Sequence, residues 1–381
     1  MSRHWDPIDH LLALDPGGRG IAAFFTRGGA RAAAQALLGA RRVLITTGFT
    51  VAADAPETDG PPGAAVLGHA LAQLGARVRY VTDPVNVPVL EAALTVLGAR
   101  ADVFVYPHGD GVAPALLRRE RPTHMIAIER PGRNREGDYL DARGASVAAW
   151  NRPIDELFVC CRAGVAATRP WRAPGAARAG SGTKRHTAGL TDAPGSPGLT
   201  HRGVSAGRRA PGRASLASGA GGGASRVVTI GVGDGGNEIG MGNVRTRLRR
   251  LGPLMARIAA VVSTDHLVVS GVSNWGAYAI AAALGRLAEK PLLHTPEDER
   301  RLIEACVAAG AVDGLSRRRE ATVDALALDV HVAFVRLLRV AAESGVTAGS
   351  GIMKAASRLA SRSNSPRATS RPISRGKASA S

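Results

Sequence analysis

Short apolar, β-branched runs alternate along this chain with stretches of helical periodicity. Val43-Leu44-Ile45 leads into a glycine turn, and residues 63–74 then place Val66, Leu67, Ala70, Leu71 and Leu74 on one helical face. A strand is predicted over residues 78–82 and a helix over 87–97. Residues 101–106, 125–128, 227–232 and 267–270 form four more short apolar runs, and a helix is predicted over 277–287. Each run ends in polar or glycine-rich sequence. Runs apolar on both faces, separated by helices, predict an α/β fold with one doubly wound, mostly parallel sheet and helices on both faces. In such sheets ligands collect beyond the carboxyl ends of the strands. The residues that follow each run are therefore the first candidates for chemistry.

Residues 161–225 break this pattern. They are rich in Gly, Pro, Ala, Ser and Arg, lack hydrophobic periodicity, and hold too little apolar surface to offset chain ordering. A basic, disordered insertion is expected there. It separates a first part of the domain (1–160) from a second (226–347), and a Ser/Arg-rich tail (348–381) of the same character follows. The charge follows these boundaries. Of the formal +18, residues 161–225 carry +9 and residues 354–381 carry +7, so the folded part is nearly neutral. A nucleic-acid groove would place its charge in periodic structure, so no specific nucleic-acid partner is expected.

Cys160, Cys161 and Cys306 form neither a CxxC pair nor a disulfide framework, which fits a reducing compartment. No apolar run approaches the roughly 18 residues of a membrane span, and the first fifteen residues have no secretory pattern. A cytoplasmic protein with no membrane partner is expected. No HExxH pair, GxSxG elbow or Walker lysine is present.

The densest signal is Thr229-Ile230-Gly231-Val232-Gly233-Asp234-Gly235-Gly236-Asn237-Glu238-Ile239-Gly240-Met241-Gly242-Asn243, where an apolar run gives way to six glycines with Asp234, Asn237 and Glu238 set among them. Glycine after a strand marks close backbone approach, read here as room for a ligand. Four other segments join it: Thr46-Thr47-Gly48-Phe49-Thr50-Val51 with Glu57-Thr58-Asp59-Gly60-Pro61-Pro62-Gly63; Tyr80-Val81-Thr82-Asp83; Ile128-Glu129-Arg130-Pro131-Gly132-Arg133-Asn134; and Ser263-Thr264-Asp265 running to Gly271-Val272-Ser273-Asn274-Trp275-Gly276. In this order the five segments resemble the D-glutamate cyclase family, whose members close D-glutamate to 5-oxo-D-proline. The resemblance spans residues 1–160 and 226–345 and implies a carbon–oxygen lyase acting on a small amino acid.

That reaction needs a general base and acid and donors or a cation on the γ-carboxylate. Asp234 and Glu238 are the catalytic candidates. Either is equally a ligand for a divalent cation, as is Asp265, and Asp234 is alternatively a helix cap. Thr47 and Gly48, whose backbone amides can hold an anion, are substrate-binding candidates, as are Gly235, Gly236 and Asn237. Glu57 and Asp59 read as substrate or metal contacts or as a capping turn. Arg130 reads as a bidentate carboxylate grip or as a structural ion pair with Glu129 or Asp141, and Arg143 is a weaker candidate for the same task. Asn274 reads as a substrate contact or a helix cap. Competing expectations are a metal- or phosphate-dependent enzyme on a related small acid, and a basic nucleic-acid-associated protein.

Overall fold

A computed structural model describes residues 6–163 and 226–343. All but the first three residues of the expected insertion, and the whole of the expected tail, lie outside the described residues. Residues 6–163 and 227–343 belong to one compact unit.

Six parallel strands form the sheet: β1 Arg42–Thr47, β2 Arg77–Thr82, β3 Val103–Val105, β4 His124–Ile128, β5 Val228–Gly233 and β6 His266–Val269. Their order is 3-2-1-4-5-6, so β1 and β4 are neighbours, with Val43 opposite His124 and Thr47 opposite Ile128. The expected α/β architecture is present, and strand bounds fall within a few residues of the apolar runs.

Alternate side chains along each strand serve opposite cores. Val43, Ile45, Ile126, Ile128, Ile230 and Val232 pack on one face with helices Gly29–Leu37, Pro61–Gln73, Val87–Val96 and Ser273–Ala288. Leu44, Val81, Met125 and Ala127 face the other way, toward helices Val112–Glu120 and Glu156–Ala163. Burial on both faces is why these strands read as continuous apolar runs.

Helix Ser273–Ala288 lies against both Pro61–Gln73 and Gly29–Leu37 and is buried around its whole circumference from Ser273 to Gly285. Its amino terminus points at the carboxyl edge of the sheet. Beyond the expected elements the chain adds helix Pro296–Ala308, begun by a Thr295/Asp298 capping box, and a further helix over 328–343. Between them, strands Thr322–Val323 and Leu326–Ala327 form a hairpin whose two turn residues, Asp324 and Ala325, have φ of 55° and 61°. Two positive φ values in a two-residue turn match the twist of the strands. This turn carries Asp324 to the site.

Candidate active site

The chain leaves β1 toward one half of the sheet and β4 toward the other, which opens a crevice at their carboxyl ends. Three acids meet there. Asp59 follows β1, Glu129 ends β4 and Asp234 ends β5, and one carboxylate oxygen from each lies within 4.8 Å of the others. Glu129 adopts φ 41°, a left-handed conformation that a non-glycine residue rarely takes and that marks a position fixed by its surroundings.

Helix Ser273–Ala288 holds this group from one side. The Ser273 N–H donates to Asp59 Oδ2 at 2.9 Å and to Asp234 Oδ2 at 3.2 Å, and the Asn274 N–H donates to Asp59 Oδ1 at 2.8 Å. Asp59 thus caps a helix far from it in sequence, where the helix dipole favours negative charge. The Ser273 hydroxyl donates to Glu129 Oε2 at 2.5 Å. From the other side comes Arg19, carried on a loop in which the Asp15 carboxylate accepts the N–H groups of Arg19, Gly20 and Ile21. Arg19 pairs with Asp234 at 2.6 Å and also with Asp324.

A cavity opens above this group, walled on the inside by Arg19, Glu57, Glu129, Asn237, Glu238 and Asp324 and at its mouth by the exposed Arg143 and Arg317. It encloses about 40 Å³, little more than one water's share of liquid, roughly 30 Å³.

Six buried carboxyl groups here face the half-buried guanidinium of Arg19, and their proton affinities respond. Burial, then the charge of Asp324, pushes Asp59 up to about 8 against the N–H groups of Asn274 and Ser273. Burial and the neighbouring Glu129 raise Glu57 well above the usual carboxylate range. Glu129 rises through burial and the charge of Glu238, and Asp234 rises through burial although Arg19 opposes it. Glu238 rises through burial, opposed by the Gly235 N–H.

These shifts set a pH dependence. Between an ordinary aspartate value of about 4 and about 8, folded Asp59 binds more protons than unfolded Asp59. Its contribution to stability is complete below that window and is lost as pH rises through it. Urea midpoints in divalent-free buffer should therefore fall less steeply from pH 5 to 8 in Asp59→Asn than in the parent. Equal slopes would remove Asp59 from this account.

Several expected roles change once the partners are visible. Arg130 is fully buried, and its guanidinium is engaged inside the protein: it pairs with Asp83, donates to the Gly48 carbonyl at 2.8 Å and to the Arg152 carbonyl at 2.7 Å. It is a structural ion pair, with Asp83 rather than Glu129 or Asp141, and it does not face the cavity. Gly48 presents its carbonyl to Arg130, and Thr47 Oγ1 is buried without a partner. The Asn274 side chain is likewise engaged, accepting from Gly60 N and Gly63 N and donating to the Thr58 carbonyl, so it positions the Glu57–Asp59 loop.

In the glycine-rich loop, Gly235 N and Gly236 N both donate to Glu238, at 2.7 and 2.8 Å. The loop's anion-binding groups hold its own carboxylate, and Asn237 donates to the Leu140 carbonyl. Asp265 accepts from Thr229 at the amino ends of β5 and β6, the opposite edge of the sheet, and so is no ligand for a cation at this site. The residues missed in sequence are Arg19, Ser273 and Asp324, together with Glu129 as more than an ion-pair partner. Gly18 and Gly20, both at positive φ beside Arg19, were the available hint of a shaped loop.

The family described as D-glutamate cyclase-like, C-terminal, matches residues 8–167 and 215–339 of this chain. A human protein, D-glutamate cyclase, mitochondrial, is 30% identical over 299 residues, covering 73% of this chain. The match takes in 38% of the human protein's length. Among the described residues no helix is long and apolar enough to cross a membrane.

Proposed function

The chain belongs to the D-glutamate cyclase-like family, and on that premise we propose that it is a lyase closing D-glutamate to 5-oxo-D-proline with loss of water. The observation that carries the proposal is the convergence of Glu57, Asp59, Glu129 and Asp234 at the switch point of the sheet, each more than nine-tenths buried. Proton transfer in a dehydrated cavity is what the reaction demands.

A bond forms between the α-nitrogen and the carbon of the γ-carboxylate, and one C–O bond of that carboxylate breaks. Two hydrogens lost by the nitrogen leave with the departing oxygen as water. Glu57 is the group we assign to move them: it lines the cavity, its Oε1 has no hydrogen-bond partner, and burial holds its proton affinity well above that of an ordinary carboxylate. Starting protonated, it gives its proton to the leaving oxygen and is restored by one from the nitrogen, whose other hydrogen passes to the same oxygen. Arg143, which donates to the Leu315 carbonyl, and Arg317, paired with Asp141, are exposed at the mouth, where their charge receives the α-carboxylate when they turn from those partners. Holding amine and γ-carbon together adds a proximity contribution that water does not offer.

A phosphate-dependent reaction fits this geometry poorly, because Glu238 already fills the loop that would cradle a phosphate. The test is chiral chromatography of D- and L-glutamate incubated with the purified chain. Consumption of D-glutamate with matching 5-oxo-D-proline is expected. Folded protein that leaves both enantiomers at the protein-free rate would overturn the reading.

A further inference from the structure

Charge at the inner end of the cavity is unbalanced. Glu57, Asp59, Glu129, Asp234, Glu238 and Asp324 are all buried, and among the described residues Arg19 pairs with Asp234 and Asp324 alone. Glu238 is held by its own loop. Among the described residues, no ion pair within 4.0 Å reaches Glu57, Asp59 or Glu129. Two oxygens in the same cavity wall, Glu57 Oε1 and Asp324 Oδ2, are buried with no hydrogen-bond partner at all, on residues only 6% and 4% exposed. A wall of this kind is built for something positive.

We propose that Asp59, Glu129 and Asp234 together ligate one hard divalent cation of the Mg²⁺ or Mn²⁺ class. Their three oxygens lie within 4.8 Å of one another. At metal–oxygen distances of about 2.1 Å, octahedral ligands stand roughly 3 to 4.2 Å apart, so small side-chain shifts bring the trio onto one ion. The donor set is all oxygen, with no imidazole or thiolate in the group, which selects against zinc and copper. The Ser273 and Asn274 N–H groups fix Asp59 and Asp234 in orientation, the supporting role that outer partners play around metal ligands. Glu57 lines the same cavity as Glu129.

The site is argued from this chain's own residues; its use in turnover rests on the cyclase reading. A γ-carboxylate brought beside Asp59, Glu129 and Asp234 meets like charge unless a cation lies between them. With the cation in place, the same carboxylate is held and polarised for attack by the α-nitrogen, while Glu57 keeps its task of moving protons.

The full chain, stripped with chelator and desalted, should be titrated with MnCl₂ while the free-ion electron paramagnetic resonance sextet is followed. One Mn²⁺ per chain is expected, displaced by excess Mg²⁺. Asp59→Asn and Glu129→Gln should each weaken it at least tenfold while retaining a cooperative tryptophan-fluorescence melt. A wild-type chain that leaves the sextet unchanged, or folded variants that bind as tightly as the parent, would overturn the site. Wild-type stoichiometry decides the matter even where a variant does not fold. D-Glutamate turnover undiminished by chelator with no bound Mn²⁺ would sink the metal and spare the reaction. Tight Mn²⁺ binding with D-glutamate untouched would sink the reaction and spare the metal.

Discussion

Glu57→Gln should lower the rate of 5-oxo-D-proline formation by about 10²–10⁴-fold, the usual loss when a general acid–base is removed, while leaving the chain at least as stable as before. Glutamine is nearly isosteric and matches the protonated acid, the form that burial and the neighbouring Glu129 already favour. Substitution therefore removes a charge that folding must otherwise desolvate, a common pattern in which an active-site residue opposes stability. Steady-state rates alongside thermal melts check both halves. A variant active within a few fold would move proton transfer away from Glu57. A variant that loses cooperative melting would instead make the Glu57 carboxyl structural.

The largest loss of stability is expected from Arg130→Met. Its guanidinium sits at 0% exposure against Asp83 at 1%, and it ties β4 to the loops carrying Gly48 and Arg152. Removing one member of a buried pair leaves an uncompensated charge and costs about 3–5 kcal/mol. Asp83→Asn in the same background should recover part of that, since the stranded charge is then gone. Urea unfolding of the single and double variants measures the effect. Unchanged stability with a raised KM for D-glutamate would return Arg130 to the substrate.

Those two residues mark what the sequence allowed. The sheet was legible because strands buried on both faces must be apolar throughout, as in Val43-Leu44-Ile45 and the run ending at Ile128. Strand ends then pointed to Asp59 and Asp234. Arg130 misled because a bidentate grip and a buried ion pair ask for the same side chain, and only the position of Asp83 decides between them. The glycine run misled in part for a similar reason. Glycine signals that something comes close, and at Gly231 and Gly240 that something is the other's backbone: a Cβ on Gly231 would stand 2.8 Å from the Gly240 Cα. Arg19 meets Asp234 and Asp324 from the opposite end of the chain, and no local spacing encodes such a meeting.

The measurement that bears most directly on the account is the fate of label from D-glutamate carrying ¹⁸O in both γ-carboxylate oxygens, followed by mass spectrometry without added nucleotide. Dehydrative closure at this site predicts 5-oxo-D-proline retaining one ¹⁸O and water gaining the other, at a rate that Glu57→Gln lowers by about 10²–10⁴-fold. Folded chain that forms no product above the protein-free rate, or that needs a nucleotide and sends the label into phosphate, would contradict it.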